Sequence, residues 1–312
     1  MTIKEIYELA IKEGKKADFR GEKEINRKLK EAKKAYEKLS EKRKSSFDKE
    51  RLKNPYSDTR ILHGDPDKKV EKILVGIDID GEELLLADKL GVDLVISHHP
   101  RGIALAGLDD VMDLQIDVLA QYGVPVNIAE KLLKKRIKEV SRGLSPGNHQ
   151  RAVDTASLLD IPLMSIHTPC DNLVARFVEK KLKKDDPRLL KEVLDSLLEI
   201  EEYKRAEELG IGPDIFVGSK ENRAGKIVLS EITGGTEGSP EIYRKLADAG
   251  AGTVIGMHIS EKHREEAQKA HINVVIAGHM SSDSIGVNLF LDKLTGPEII
   301  PCSGLIRHAR NK

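Results

Sequence analysis

From residue 70 onward the chain repeats one unit: a short run of β-branched apolar residues followed by a helical stretch. The runs are "KILVGIDI" (72–79), "VDLVIS" (92–97), "PLMSIH" (162–167), "KIVLSEI" (226–232), "GTVIGMHI" (252–259) and "INVVIAGH" (272–279). Runs this short and this apolar are strands buried on both faces, and their alternation with helices predicts largely parallel sheets covered by helices. Between them, "GEELLLADKLG" (81–91) and "VMDLQIDVLAQYG" (111–123) read as helices, the first with Leu84, Leu85, Ala87 and Leu90 available for burial. "VPVNIA" (124–129) reads as a further strand, followed by a basic helix near 129–140. Residues 173–209 read as charged helices broken at Pro187.

The unit recurs in a telling way. "LADKLGVDLVISHH" (86–99) and "LADAGAGTVIGMH" (246–258) align with one gap. Either the shared vocabulary of helix–turn–strand units or an old duplication into two lobes accounts for this. Ahead of the α/β region, residues 1–55 form a helical extension. Thr2 and Glu5 make a capping box for a helix with Ile3, Ile6, Tyr7 and Ala10 on one stripe. A second helix from Glu22 spaces Ile25, Leu29, Ala32, Tyr36 and Leu39 by alternating fours and threes. It either leans on the body as a solvated helix or meets another copy of the chain.

Function in open α/β sheets gathers beyond the carboxyl ends of the strands. Four strand ends carry groups of one chemical kind: His98 and His99; His167 followed by Asp171; His258; and His279 followed by Asp283. Imidazoles and carboxylates converging at one sheet end are first-row metal ligands. Adjacent strand residues point to opposite faces, so His98 and His99 converge only where the strand is already turning, and Pro100 and Gly102 supply that turn. Asp171 reads as a loop carboxylate able to bridge two ions. A helix starting near His279 puts His279 and Asp283 on one face.

These residues also carry a family likeness. "GVDLVISHHP", "HTPCD" and "INVVIAGHMSSD" resemble the signature blocks of the Nif-three-like family, also called the GTP cyclohydrolase I type 2 family. "SDTRILHG" (57–64) and "GGTEGS" (234–239) fit its opening and its glycine-rich turn. The likeness spans residues 56–312: a first lobe at about 56–180, a helical connection at about 181–225 and a second lobe at about 226–312. It implies two related lobes, a toroidal homo-oligomer, commonly a hexamer, and two divalent metal ions held by His98, His99, Asp171, His279 and Asp283. The chain departs from the family in placing Asp283 where Glu is usual, in following "HHP" with "RGIALAG", and in a long insertion before His167.

The expected chemistry is metal-dependent hydrolysis of a nucleotide or related phosphorylated or heterocyclic substrate, with Zn, Fe, Mn or Co as the ions. His258 and His167 are candidate proton shuttles. Arg101, His149 and Arg151 are candidates to line the substrate pocket. Gly234 and Gly235 belong to a turn that leads into a helix capped by Ser239 with Pro240 first, whose N–H groups would receive a phosphate. A non-catalytic metal-binding ring scaffold is the competing reading, and a nucleotide sensor is a third. Lys+Arg and Asp+Glu are equal at 52, which disfavours nucleic acid as a partner. No apolar run approaches membrane-spanning length. With only Cys170 and Cys302, no disulfide framework is implied, and a cytoplasmic location is expected. Cys170 beside Asp171 reads as a small buried residue.

Overall fold

The computed structural model describes residues 1–310 and contains two mostly parallel sheets. The first is built from β1 (Arg60–His63), β2 (Lys72–Gly76), β3 (Leu94–Ser97), β4 (Leu163–Ser165) and β9 (Glu298–Cys302), in the order β1-β4-β3-β2-β9. The second takes β5 (Asp214–Val217), β6 (Lys226–Glu231), β7 (Ala251–Gly256) and β8 (Asn273–Ile276), in the order β5-β8-β7-β6. In each sheet three consecutive strands run parallel, and a preceding strand closes the edge antiparallel, β1 on β4 and β5 on β8. The sheets are therefore topological copies, with β3 matching β7 and β4 matching β8. The sequence echo at 86–99 and 246–258 falls on β3 and β7 with their preceding helices, which favours the duplication.

Two long helices lie between the sheets. The helix Thr168–Asp185 follows β4, and the helix His279–Leu291 follows β8. Val174, Val178 and Ile285 pack with Leu229, Ile255 and Val275 of the second sheet. Cys170, Val287 and Phe290 pack with Ile73, Val75, Ile96 and Met164 of the first. A helix covered on both sides needs burial all round, which His279–Leu291 has: even Ser281, Ser282, Ser284 and Asn288 are buried. Ser282 Oγ donates to Gly278 O at 2.5 Å, Ser284 Oγ to Met280 O at 2.6 Å and Asn288 Nδ2 to Glu202 Oε1 at 2.8 Å, while Ser281 Oγ is buried without a partner. The helices touch closely because residue 286 is glycine; a Cβ there would sit 2.4 Å from Cys170 O.

Several expectations are revised. "VPVNIA" is not a strand: Pro125 caps the helix Val126–Leu144, its carbonyl accepting from Ile128 and Ala129 N–H. Asp171 is not in a loop but in the first turn of Thr168–Asp185, a helix opened by Pro169. The chain's end does not stay in the second lobe, because β9 returns to pair parallel with β2. Within the 181–225 connection, β5 is already a strand of the second sheet. Leu85 and Leu90 stay exposed, while Leu84 and Ala87 face the core.

The first helix, Ile3–Ala17, forms with the expected Thr2–Glu5 capping box and buries Ile3, Ile6, Tyr7 and Ala10 against the first sheet's core. It is thus integral to that lobe. The second, Glu22–Glu37, buries only Ile25.

Candidate metal centre

The sheet ends of both lobes face each other across the paired helices. Beyond β3 the ladder to β2 continues: His98 N–H donates to Gly76 O at 2.9 Å and His99 N–H to Ile77 O at 2.8 Å. The turn comes at Pro100, and Gly102 takes a positive φ of 54°. The two rings end up side by side, centroids 5.4 Å apart. After β4, His167 lies next to them, its ring 5.0 Å from that of His98 and 6.0 Å from that of His99. After β8, His279 opens its helix and brings its ring 5.2 Å from His99 and 4.9 Å from His258. The pattern His-x-x-x-Asp thus occurs twice at matching places, His167/Asp171 after β4 and His279/Asp283 after β8, each pair one helical turn apart.

Three interlocking groups have donor atoms within 4.8 Å of one another: His98/Asp171/Asp283, His99/His279/Asp283 and His98/His99/His167. Asp283 is the member common to the first two. It stands with Oδ1 3.3 Å from His98 Nε2 and Oδ2 3.2 Å from His99 Nε2. One oxygen therefore faces each imidazole, so the carboxylate is shared between two candidate ligand groups. That is the bridging position expected of Asp171, whose Oδ1 lies 3.5 Å from His98 Nε2. His167, expected as a shuttle, stands instead among the candidate ligands.

The far side of each ring is already held. His98 Nδ1 lies 3.1 Å from Ile166 O, His99 Nδ1 3.0 Å from Asp78 Oδ1, and His167 Nδ1 2.8 Å from Asp58 Oδ2. An outer oxygen on Nδ1 fixes the tautomer and leaves the Nε2 lone pair for a metal. The inner atoms lack partners. His98 Nε2, Asp171 Oδ1 and Asp283 Oδ2 are buried without a hydrogen bond, a state costly enough to be rare unless something else satisfies them. The site therefore fits a metal ion.

Charge tells the same story. Burial pushes the Asp171 carboxyl up to about 6, despite opposing pulls from His167 and His98. Burial also acts to raise Asp283, but His98, His99 and His279 hold it far below the usual carboxylate range. Burial lowers His99, but Asp283 and Asp78 outweigh it and raise the ring to about 10. For His167 the charges of Asp171 and Asp58 overcome burial and raise it to about 8. Burial takes His279 down to about 4, with His258 and His99 adding to the effect and Asp283 opposing it. Protons on His99 and His167 thus supply positive charge among buried carboxylates, the service a cation would perform.

On the second-lobe side the cleft is lined by Glu231, Thr233, Gly235, Glu237 and His258. Glu237 Oε1 accepts from Ser260 N–H at 2.6 Å and lies 3.2 Å from His258 Nδ1, so His258 is oriented as the first-lobe rings are. Its partner Glu237 holds the ring above its ordinary value.

The other expected residues lie elsewhere. Arg101 faces no anion site; its Nε donates to Ile79 O at 2.7 Å and its Nη2 to Asp78 Oδ1 at 3.0 Å. It secures the loop that orients His99. His149 Nε2 is 2.9 Å from Leu144 O in its own loop, Arg151 is exposed, and neither lines the cleft. Gly235 does line it, while Gly234 O accepts from Gln115 Nε2 at 3.1 Å. Both glycines have positive φ, 99° and 89°, and a Cβ on Gly234 would meet Gln115 at 2.5 Å. Ser239 is not a cap, because the helix begins at Ile242 and Glu241 precedes it. Its seven residues offer no phosphate site. Cys170 is buried and burial raises its thiol.

Sequence reading missed Asp58, Asp78 and Glu237, which hold His167, His99 and His258. Asp78 stands just after a strand, as the ligands do; Asp58 sits in a loop that the family likeness covers without singling it out.

No family model matches the chain, and no curated protein matches it. Solved structures do. A NIF3 superfamily protein from Sphaerobacter thermophilus shares 27% identity over 81% of this chain and 94% of its own, with a TM-score of 0.72. Reduced HcgD from Methanocaldococcus jannaschii is 17% identical over 85% of this chain and 96% of its own, with a TM-score of 0.49. The first match, similar in fold over most of both chains, supports a Nif3-like family assignment.

Proposed function

We propose that the chain is a metal-dependent hydrolase whose dinuclear centre lies between the lobes, acting on a nucleotide or a related phosphorylated or heterocyclic substrate. The observation that carries this is Asp283, which offers one oxygen to each of two ligand groups while its neighbours' inner atoms lack protein partners. His98, Asp171 and Asp283, joined by His167, would hold one ion; His99, His279 and Asp283 would hold the other. When bound, a pair of divalent cations supplies Lewis acidity and draws the pKa of a water toward neutrality.

The protein's own groups do the rest. Asp58 and Asp78 keep the Nε2 atoms of His167 and His99 turned inward, beside the buried His98, Asp171 and Asp283. His258, tied at Nδ1 to Glu237, is placed beside His279 with its side chain partly open to solvent. It is suited to carry a proton between substrate and solvent. His167, packed among candidate ligands, is not.

The test is elemental analysis of protein purified without chelator or affinity nickel, followed by a hydrolysis screen with generic phosphoesters and GTP. Two metal equivalents per chain and chelator-sensitive turnover are expected. Stoichiometric metal with no turnover would replace the hydrolase by a metal-binding scaffold. Nucleotide affinity that survives chelation would replace it by a sensor.

A further inference from the structure

The N-terminal helical extension touches the metal centre's outer layer at two points. At the first, Asp58 holds His167 Nδ1 at 2.8 Å and accepts from Thr168 Oγ1 at 2.6 Å, while Thr59 Oγ1 accepts from His167 N–H at 3.2 Å. The Thr59 carbonyl, one residue past Asp58, is gripped in turn from the extension, alongside Arg60 Nη1 at 2.7 Å. Asn54 Nδ2 donates to Thr59 O at 2.9 Å and to Tyr7 Oη at 2.8 Å. Tyr7 Oη lies 3.4 Å from that same carbonyl and 3.1 Å from Glu50 Oε2. At the second, Tyr56 Oη donates to Asp18 Oδ2 at 2.9 Å and accepts from Asn172 Nδ2 at 3.4 Å. Asn172 adjoins Asp171, and its Oδ1 accepts from Thr233 Oγ1, in the cleft wall, at 2.7 Å. Tyr7, Asp18, Asn54, Tyr56, Asp58 and Asn172 are all buried.

We propose that residues 1–55 act as an outer wall of the metal centre, with Tyr7 and Asn54 as positioning residues for His167 through the Thr59 carbonyl and its neighbour Asp58. This rests on the reading of the site as a metal centre. Solvent-exposed supports would compete with water; buried ones do not, so the extension steadies the segment whose Asp58 sets the ring's direction. Outer partners of ligating histidines are worth roughly ten- to a hundredfold in metal affinity. The effect falls on the ion beside His167 and not on the one beside His279, which no residue of this network touches.

Full-length wild type, Tyr7→Phe, Asn54→Ala and Asp58→Asn are compared by cobalt titration followed in the visible spectrum and, after chelation, by ring-nitrogen NMR of the histidines. Asp58→Asn should weaken one of two cobalt steps by roughly ten- to a hundredfold. Tyr7→Phe and Asn54→Ala should weaken that same step less, leaving the other step unchanged. In the chelated protein the His167 Nδ1 proton should exchange with solvent about tenfold faster in Asn54→Ala than in wild type. Equal weakening of both steps, or no change in either step or in the ring signals, would overturn the proposal. Tyr7→Phe keeps the ring that packs in the core, so it reports even if Asp58→Asn folds poorly. A wild type that takes up no cobalt would refute the metal centre itself, while the ring-exchange comparison would still decide whether the extension holds His167.

Discussion

Asp171 is the residue whose energetics are most exposed to experiment. Its carboxyl is pushed up to about 6 by burial, from an ordinary value of 3.8. Because the folded value is raised, ionised Asp171 costs stability, and the cost grows as pH rises from the unfolded value through 6. Without metal, Asp171→Asn should therefore stabilise the fold near pH 7 by about 1–3 kcal/mol, read from denaturant unfolding, while abolishing one metal equivalent. Metal binding needs the ionised carboxylate and neutral rings. His99 and His167 carry protons at pH 7, so loading should release protons, measurable as a buffer-dependent calorimetric enthalpy, and loading should fail as pH drops through 6. His98→Ala, which removes a member of two ligand groups, should lower the metal content by one or both equivalents per chain with the fold kept by circular dichroism. The strand-end histidines were legible because each ends an apolar run. Their outer partners were not: Asp58 and His167 are separated by 109 positions, and nothing local distinguishes Asp58 from an ordinary loop aspartate.

At the scale of elements, the two central helices decide how far apart the carboxylates stand. Asp171 rides on Thr168–Asp185 and Asp283 on His279–Leu291, and the helices meet where Gly286 crosses Cys170. A methyl at 286 would meet backbone, which cannot rotate away. Gly286→Ala should therefore push the helices apart, costing about 1–3 kcal/mol in a thermal or chemical melt and weakening both metal steps together. The second helix was expected only from the four-residue step between His279 and Asp283, since it is buried all round. Periodicity concealed the first turn of the other: "HTPCD" looks like a loop until Pro169 is seen to open a helix. It also misassigned "VPVNIA", too short to separate a strand from a capped helix start. Helix Gly81–Leu90 was read as burying a broader face than it does.

For the whole molecule, the exposed part of that helix is a candidate contact for the expected assembly. Leu85, Leu86 and Leu90, with Leu158 on the adjoining helix Arg151–Leu158, remain between 39% and 88% exposed. A patch of this kind at one end of the first lobe suits contact with another copy of the chain. Leu158→Glu should reduce the mass seen by light scattering from that of an oligomer to that of a smaller species, with secondary structure unchanged. The two-lobed plan was visible in the strand–helix alternation and the echo around His99 and His258. The return of β9 was not, since "EIIPC" has no partner signal nearby and its neighbour β2 lies more than two hundred residues upstream. That return has a consequence for biosynthesis. The second sheet and the late helix bearing Asp283 lie in sequence between β4 and β9 of the first sheet, so that sheet cannot close until both have been made, and the protein should become able to take up metal only after β9 docks.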